Sequence, residues 1–108
     1  MENNVFQRLY AVVADRKVHP QEGSYTCYLF DKGLDKILKK LAEECGETII
    51  AAKNGDNTDT VGELADLFYH AMVLMNAQDI PMEALTHELA QRTQKIGNLK
   101  QLGEKNFN

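Results

Sequence analysis

Tryptophan is absent from the 108-residue sequence, and cysteine and proline occur only twice each. The spacing of Cys27 and Cys45 fits neither a zinc site nor a C-x-x-C redox motif, so we expect two reduced, buried thiols. Because proline breaks helices, Pro20 together with Gly23 predicts the end of a first helix. A chain of this length forms one core, and a partner subunit can complete a core of that size.

Long apolar runs are also absent, since none approaches the roughly 18 residues that a membrane-spanning helix needs. The first residues, Met-Glu-Asn-Asn, lack the charged and apolar regions of a signal peptide, so we expect a cytoplasmic protein. The 16 acidic residues outnumber the 12 basic ones, which gives a formal net charge of -4. A surface for nucleic acid needs a basic patch, so the composition favours a small-molecule partner over nucleic acid or a membrane.

Apolar residues recur at helical spacing through most of the chain and predict an all-α bundle. We expect about four helices, over residues 4–16, 33–53, 59–78 and 81–97. Asp31 is the predicted N-cap of the second helix, and Thr58 or Asp59 that of the third. These helices form one predicted domain, residues 1–97, followed by a polar tail, residues 98–108.

The predicted connector over residues 17–33 is long for so small a domain, and long connectors often carry function. Its second half is dense in β-branched and aromatic residues, which favours an extended chain over residues 24–30. Ser24, Tyr25 and Thr26 offer three hydroxyls for phosphate or ribose contacts. The alternative is that the aromatic side chains of this segment only cover the helices.

Two acidic pairs stand on successive predicted helices. Glu44 and Glu47 form the first pair, and Glu63 and Asp66 the second, each with three-residue spacing. Residues three apart share one face of a helix, so each pair presents two carboxylates together. Four carboxylates that converge from two packed helices predict a metal site, which we interpret as a site for Mg²⁺.

Helical geometry separates these acidic residues from their neighbours. The predicted apolar stripe of the second helix contains Leu34, Leu38, Leu41, Cys45, Thr48 and Ala52. Glu44 then lies about 80° and Glu47 about 140° from the centre of the stripe, whereas Glu43 faces outward. The third helix is apolar almost all round, which predicts burial, and Glu63, Asp66 and His70 share its one polar strip. Buried carboxylates are costly to ionise unless a cation accompanies them.

Three basic residues are candidates for binding substrate phosphate. Lys36 and Lys40 lie on the same flank of the second helix as the first acidic pair. Arg92 lies near the end of the last helix. For all three, the alternative is an ordinary ion pair or a favourable interaction with the helix dipole.

Other metal sites fit less well. A calcium-binding loop starting at Asp56 would place Val61 where glycine is needed and Leu67 where glutamate is needed. A di-iron site needs Glu-x-x-His motifs, whereas His70 follows Asp66 by four residues. A non-catalytic dimerisation module, with solvated acidic pairs, remains an alternative.

The acidic motifs resemble those of a known superfamily. The pattern E-E-x-x-E at residues 43–47, followed by E-x-x-D at 63–66, is similar to that of the all-α nucleoside triphosphate pyrophosphohydrolases related to MazG and the dimeric dUTPases. The S-Y-T segment at 24–26, Gly33, the run K-I-L-K-K-L-A-E-E at 36–44 and A-D-L-F-Y-H at 65–70 resemble the phosphoribosyl-ATP pyrophosphatases of histidine biosynthesis. The resemblance covers about residues 5–96.

This resemblance implies hydrolysis of 1-(5-phosphoribosyl)-ATP to the corresponding AMP derivative and pyrophosphate, the second step of L-histidine biosynthesis. It implies that Glu44, Glu47, Glu63 and Asp66 bind Mg²⁺ and catalyse the reaction. It also implies that Lys40, Lys36, Arg92 and residues 24–26 contact the substrate, and that two subunits associate as a homodimer. The alternative within the superfamily is a housekeeping pyrophosphatase for aberrant nucleotides.

Overall fold

The computed structural model describes residues 4–94, and all regular structure in this range is α-helical. The five helices are α1 (Val5–Val18), α2 (Tyr25–Lys32), α3 (Leu34–Lys53), α4 (Asn57–Ala77) and α5 (Met82–Thr93). The all-α prediction is therefore confirmed, with one helix more than the sequence predicted. The predicted tail over residues 98–108 lies outside the described range.

Helices α3 and α4 are the longest and pack against each other as an antiparallel pair. The chain reverses at Gly55, whose φ of 76° is open to glycine and strained for other residues. Asp56 then caps α4 by accepting a hydrogen bond from the Asp59 backbone N–H at 3.1 Å. The predicted caps, Thr58 and Asp59, are wrong, because both residues already lie inside the helix.

Helix α2 occupies the segment for which we expected an extended chain, and that prediction is wrong. The Ser24 hydroxyl accepts a hydrogen bond from the Cys27 backbone N–H at 3.2 Å and so starts the helix. Leu29, which is 0% exposed, anchors the helix in the core. Burying such a side chain is worth about 1.5–3 kcal/mol, which outweighs the weak β-propensity of the segment.

A single glycine, Gly33, joins α2 to α3. Its φ of 98° and ψ of −178° fall in a region that is essentially restricted to glycine. Gly33 is therefore the N-cap of α3, and the predicted cap Asp31 lies within α2. This tight junction fixes the end of α2 close to the start of α3.

The core lies where α1 and α2 cover the α3–α4 pair. Its buried side chains come from all five helices: Val13, Leu29, Ile37, Met72, Val73, Met75 and Met82. The inward face of α3 is formed by Ile37, Glu44 and Ala51, so the apolar stripe predicted for this helix is misplaced. Several members of that stripe, among them Leu34 and Leu38, are exposed in the single chain.

The burial predicted for α4 holds only for its second half. His70, Met72, Val73, Met75 and Asn76 are buried, whereas Val61, Leu64 and Phe68 are exposed. The cysteine prediction is also wrong in part, because Cys27 is half-buried and Cys45 is exposed. Between residues 4 and 94, no helix combines the length and apolarity needed to cross a membrane.

Candidate metal centre

The two predicted acidic pairs meet between α3 and α4. Glu44 and Asp66 are equally distant from Gly55 along the chain, and so are Glu47 and Glu63, so the antiparallel pair brings α3 carboxylates beside α4 carboxylates. Oxygen atoms of Glu44, Glu63 and Asp66 lie within 4.8 Å of one another. Glu47 lies beside them, and its charge adds to burial in raising the pKa of Glu63. We call these four residues the carboxylate cluster.

Two oxygen atoms of the carboxylate cluster are buried without a hydrogen-bond partner, Glu44 Oε1 and Glu63 Oε1. The Glu44 residue is only 7% exposed. A buried, unpaired carboxylate oxygen is costly, because it has lost its water without gaining a donor. A divalent cation held by oxygen ligands offsets that cost, so the donor set fits Mg²⁺.

The electrostatics of the carboxylate cluster reflect its crowding. Burial raises the pKa of Glu44, the nearby Glu47 and Asp66 carboxylates raise it further, and His70 and Lys40 oppose them. Burial also raises the pKa of Glu63, as do its contacts with Glu47 and Asp66. Without a cation, Glu44 and Glu63 therefore hold protons more tightly than ordinary carboxyl groups.

Lys40 lies at the edge of the carboxylate cluster. Its Nζ atom is 3.1 Å from Glu43 Oε1, and that hydrogen bond raises the pKa of Lys40. Glu43 is exposed and lies outside the cluster, as helical geometry predicted. The contact lowers the pKa of Glu43, so the pair is charged near neutral pH.

The S-Y-T segment begins α2 beside α4. The Thr26 hydroxyl shares a short hydrogen bond with the Tyr69 hydroxyl, and the Tyr25 hydroxyl lies 3.0 Å from His70 Nε2. The Ser24 hydroxyl is engaged in the helix cap described above. Of the three hydroxyl residues, Tyr25 is the one with an exposed side chain. Partial burial of its hydroxyl raises the pKa of Tyr25, and the nearby Lys40 opposes that shift.

The other two predicted basic residues lie further from the carboxylate cluster. The Lys36 Nζ atom is 5.9 Å from the centre of the Tyr28 ring, and the Lys32 Nζ atom is 5.8 Å from the same ring centre. Arg92 is in the last turn of α5 and pairs with Glu88 at 2.9 Å. Their contacts with substrate remain predictions.

Sequence reasoning did not anticipate a cavity of about 770 Å³ beside α2. Arg16, Lys17, Ser24, Tyr25, Cys27 and Tyr28 contribute to its lining. A backbone hydrogen bond from Gln21 and the Ser24 side chain lower the pKa of the Cys27 thiol. The signal that was missed is the helical spacing of Tyr25, Tyr28 and Lys32. This spacing predicts a helix in the segment, with the α1–α2 connector next to its first turn.

Comparison with known proteins gives consistent matches. The profile of a family described as phosphoribosyl-ATP pyrophosphohydrolase matches residues 6–93. The phosphoribosyl-ATP pyrophosphatase of Clostridium acetobutylicum is 49% identical over 100 residues, which cover 93% of this chain and 91% of that protein. The corresponding protein of Methanocella arvoryzae is 55% identical over 91 residues, covering 82% and 96%. The histidine biosynthesis bifunctional protein HisIE of Lactococcus lactis is 46% identical over 100 residues, covering 93% and 47%.

Proposed function

The chain belongs to the phosphoribosyl-ATP pyrophosphohydrolase family, and from this premise we propose that its carboxylate cluster catalyses the family reaction with a bound Mg²⁺ ion. The reaction is hydrolysis of 1-(5-phosphoribosyl)-ATP at the α–β phosphoanhydride. Its products are 1-(5-phosphoribosyl)-AMP and pyrophosphate, and it belongs to histidine biosynthesis.

The observation that carries the metal proposal is the pair of buried carboxylate oxygens without partners, Glu44 Oε1 and Glu63 Oε1. Glu44, Glu47, Glu63 and Asp66 are the proposed ligands. When bound, the Mg²⁺ ion polarises the phosphate oxygens and offsets the charge of the leaving pyrophosphate. Mg²⁺ prefers a few carboxylate ligands together with oxygen atoms of substrate phosphates. This preference fits a carboxylate cluster that a single chain encloses only in part, because the open side leaves room for the phosphates.

The remaining residues have complementary roles in this proposal. Lys40 carries a positive charge beside the carboxylate cluster. There it would offset the part of the negative phosphate charge that Mg²⁺ does not neutralise. A cluster carboxylate would accept the proton of the attacking water. Lys36, Arg92 and residues 24–26 are proposed to hold the substrate in the orientation needed for in-line attack.

A substrate panel tests the proposed function. The purified protein with Mg²⁺ is offered phosphoribosyl-ATP, ATP and dUTP, and pyrophosphate release is measured together with the nucleotide product. We expect phosphoribosyl-ATP to be the preferred substrate by kcat/KM. Hydrolysis of dUTP or ATP without any turnover of phosphoribosyl-ATP would instead favour the housekeeping alternative.

Metal binding is expected to stabilise the protein more at about pH 7.5 than at about pH 5. The carboxyl groups of Glu44 and Glu63 have pKa values raised above the ordinary 4.5 in the folded protein. At pH values above 4.5, these two carboxyl groups therefore bind more protons in the folded state than in the unfolded state. The metal-free protein consequently loses stability as the pH rises from 4.5 through the raised pKa values of the folded state. Mg²⁺ needs the deprotonated carboxylates and relieves their repulsion.

The measurement is a thermal melt at each pH, with and without Mg²⁺. An ion concentration 100 times the dissociation constant contributes about 2.7 kcal/mol, which corresponds to roughly 10 °C for a domain of this size. NaCl at matched ionic strength is the control for general screening. An equal shift with both salts, or a larger Mg²⁺ shift at the lower pH, would contradict the prediction.

We further propose that the functional unit is a homodimer. Ile49 and Ile50 on α3 and Val61 on α4 are exposed to 63%, 61% and 66%. The reversal at Gly55 brings these residues to the same end of the helix pair, and we infer that they contribute to an apolar face near the carboxylate cluster. A second copy of the chain would bury this face and further enclose the cluster.

A further inference from the structure

The cavity beside α2 has no part in the proposed metal site, although the two are connected by side-chain contacts. Its volume of about 770 Å³ falls in the range of about 300–1,000 Å³ that is usual for small-molecule sites. Tyr25 lines the cavity, and its hydroxyl lies 3.0 Å from His70 Nε2. The Nδ1 atom of His70 lies 2.8 Å from the Asp66 carbonyl oxygen. The Tyr25 side chain therefore links the cavity to the turn of α4 that carries Asp66.

The lining of the cavity carries more positive than negative charge. Arg16 and Lys17, in the last turn of α1, line it together with one acidic residue, Asp31. The Arg16 side chain is 28% exposed, and its Nη1 atom lies 3.1 Å from Asp15 Oδ2. A guanidinium has five N–H donors, so this contact leaves donors for a ligand.

The second basic residue of the lining, Lys17, is more fully engaged within the protein. Its Nζ atom donates hydrogen bonds to the Asn76 carbonyl oxygen at 2.7 Å and to Asp79 Oδ1 at 3.0 Å. An ammonium group has three donors, so these two bonds use most of its capacity. Arg16 is therefore the better placed of the two to bind an anion in the cavity.

The Cys27 thiol lines the same cavity and accepts a hydrogen bond from the Gln21 backbone N–H at 3.3 Å. That bond lowers the pKa of Cys27 most, and the Ser24 side chain and the Arg16 charge lower it further. The positive charge of Arg16 thus acts at the cavity wall. Alkylation of this thiol can report whether the cavity is occupied.

The substrate of the proposed reaction carries anionic groups at two ends. Its triphosphate is the part that Mg²⁺ and Lys40 would bind, whereas the phosphate of its phosphoribosyl group lies on the other side of the adenine base. A phosphate monoester carries about 1.5–2 negative charges near neutral pH, and a guanidinium binds it through paired N–H···O bonds. The second phosphate needs a cationic site apart from the carboxylate cluster, whose carboxylates would repel it.

We propose that the cavity beside α2 binds the phosphate of the substrate's phosphoribosyl group, with Arg16 as its main ligand. The proposal rests on the proposed function, because this phosphate belongs to the same substrate. The rings of Tyr25 and Tyr28 stack at a centroid distance of 6.0 Å and line the cavity, where they form an apolar wall for the ribose. Arg16 then distinguishes phosphoribosyl-ATP from ATP, which lacks the phosphoribosyl group.

Protection of Cys27 from alkylation tests the proposal on the unaltered protein. The full chain with Mg²⁺ is treated with iodoacetamide in the presence of ribose 5-phosphate or ribose, and mass spectrometry follows the labelling of each cysteine. At about ten times its dissociation constant, ribose 5-phosphate should slow alkylation of Cys27 about tenfold. Cys45 is exposed and lies outside the cavity lining, so it is the internal control and its rate should not change.

Three results of this experiment would overturn the proposal. Equal protection by ribose and ribose 5-phosphate, or protection by neither, would mean that the cavity does not recognise the phosphate. An equal effect on both cysteines would mean that the sugar phosphate acts elsewhere. Protection that disappears when EDTA removes Mg²⁺ would place the phosphate at the metal ion.

Arg16→Gln is expected to raise the KM for phosphoribosyl-ATP at least about tenfold, the effect of losing a charge-assisted hydrogen bond. The phosphate of the phosphoribosyl group is remote from the bond that breaks, so kcat should change only a few-fold. The variant should also lose the protection of Cys27 by ribose 5-phosphate, measured as the ratio of rates with and without it. Arg16→Lys keeps the charge and should retain part of the affinity.

Arg8→Gln is the matched control, because it makes the same change earlier in α1, outside the cavity lining. Its KM should stay almost unchanged, and equal increases in the two glutamine variants would show a general charge effect and overturn the proposal. Absence of turnover in the unaltered protein is a failure of the proposed function. Normal turnover with an unchanged KM in a folded Arg16→Gln variant is a failure of this inference alone.

Discussion

Replacing Glu44 with glutamine is expected to lower kcat for phosphoribosyl-ATP hydrolysis by about 1000-fold, equivalent to about 4 kcal/mol of the activation barrier. The substitution preserves the shape of the side chain and removes one anionic ligand from the middle of the carboxylate cluster. Glu44 is the most buried member of the cluster, so water cannot easily replace the lost oxygen. The measurement combines steady-state kinetics with calorimetric titration of Mg²⁺, whose affinity should fall as well.

The same substitution should raise the melting temperature of the metal-free protein. Burial and the neighbouring carboxylates Glu47 and Asp66 raise the pKa of Glu44, so its negative charge opposes folding near neutral pH. Glutamine removes that charge, and its amide can donate hydrogen bonds to the remaining carboxylates. A gain in stability with a loss of activity is typical of a group retained for function.

Glu43→Gln is the matched control, because it makes the same chemical change one residue earlier on the same helix. Glu43 is exposed and pairs with Lys40 outside the carboxylate cluster, so its loss should change kcat only a few-fold and leave Mg²⁺ affinity intact. Equal losses of Mg²⁺ affinity in the two variants would show that the carboxylates act through surface charge rather than as ligands. Unchanged activity in Glu44→Gln would overturn the proposed metal site.

The carboxylate cluster was predictable from sequence because its geometry depends on few variables. Three-residue spacing fixes each pair on one helix face, and a short turn at Gly55 fixes the antiparallel neighbour. Glu44, Glu63 and Asp66 therefore come together once α3 and α4 pack against each other. The bounds of α3 follow for a similar reason, since Gly33 and the Asn54-Gly55 turn are strong local stop signals.

The orientation of α3 and the helical state of α2 were harder to predict, because both depend on tertiary contacts. Hydrophobicity alone placed the centre of the α3 stripe on residues that the single chain leaves exposed, such as Leu38. In α2, the aromatic run predicted an extended chain. The segment is helical because Ser24 caps the helix and Leu29 is buried in the core. Local propensity is a weak signal wherever a side chain has a specific partner elsewhere in the fold.

Replacing Val61 with lysine is expected to convert the proposed dimer into a monomer. Val61 is 66% exposed in the single chain, so the substitution should not disturb the fold of the monomer, and lysine is a better helix former than valine. In a dimer interface, the change would remove a buried valine and desolvate a charge, at a total cost of about 3 kcal/mol. Self-association should weaken by more than about 100-fold, as measured by light scattering coupled to gel filtration.

Val18→Lys is a closely matched control, since Val18 is 69% exposed but lies at the end of α1. The two variants make the same substitution at almost the same exposure and differ in whether the apolar face of α3 and α4 is interrupted. Only Val61→Lys should dissociate, and its specific activity should then depend on protein concentration, because the proposed partner subunit would further enclose the carboxylate cluster. Dissociation of both variants, or of neither, would contradict this face as the dimer interface.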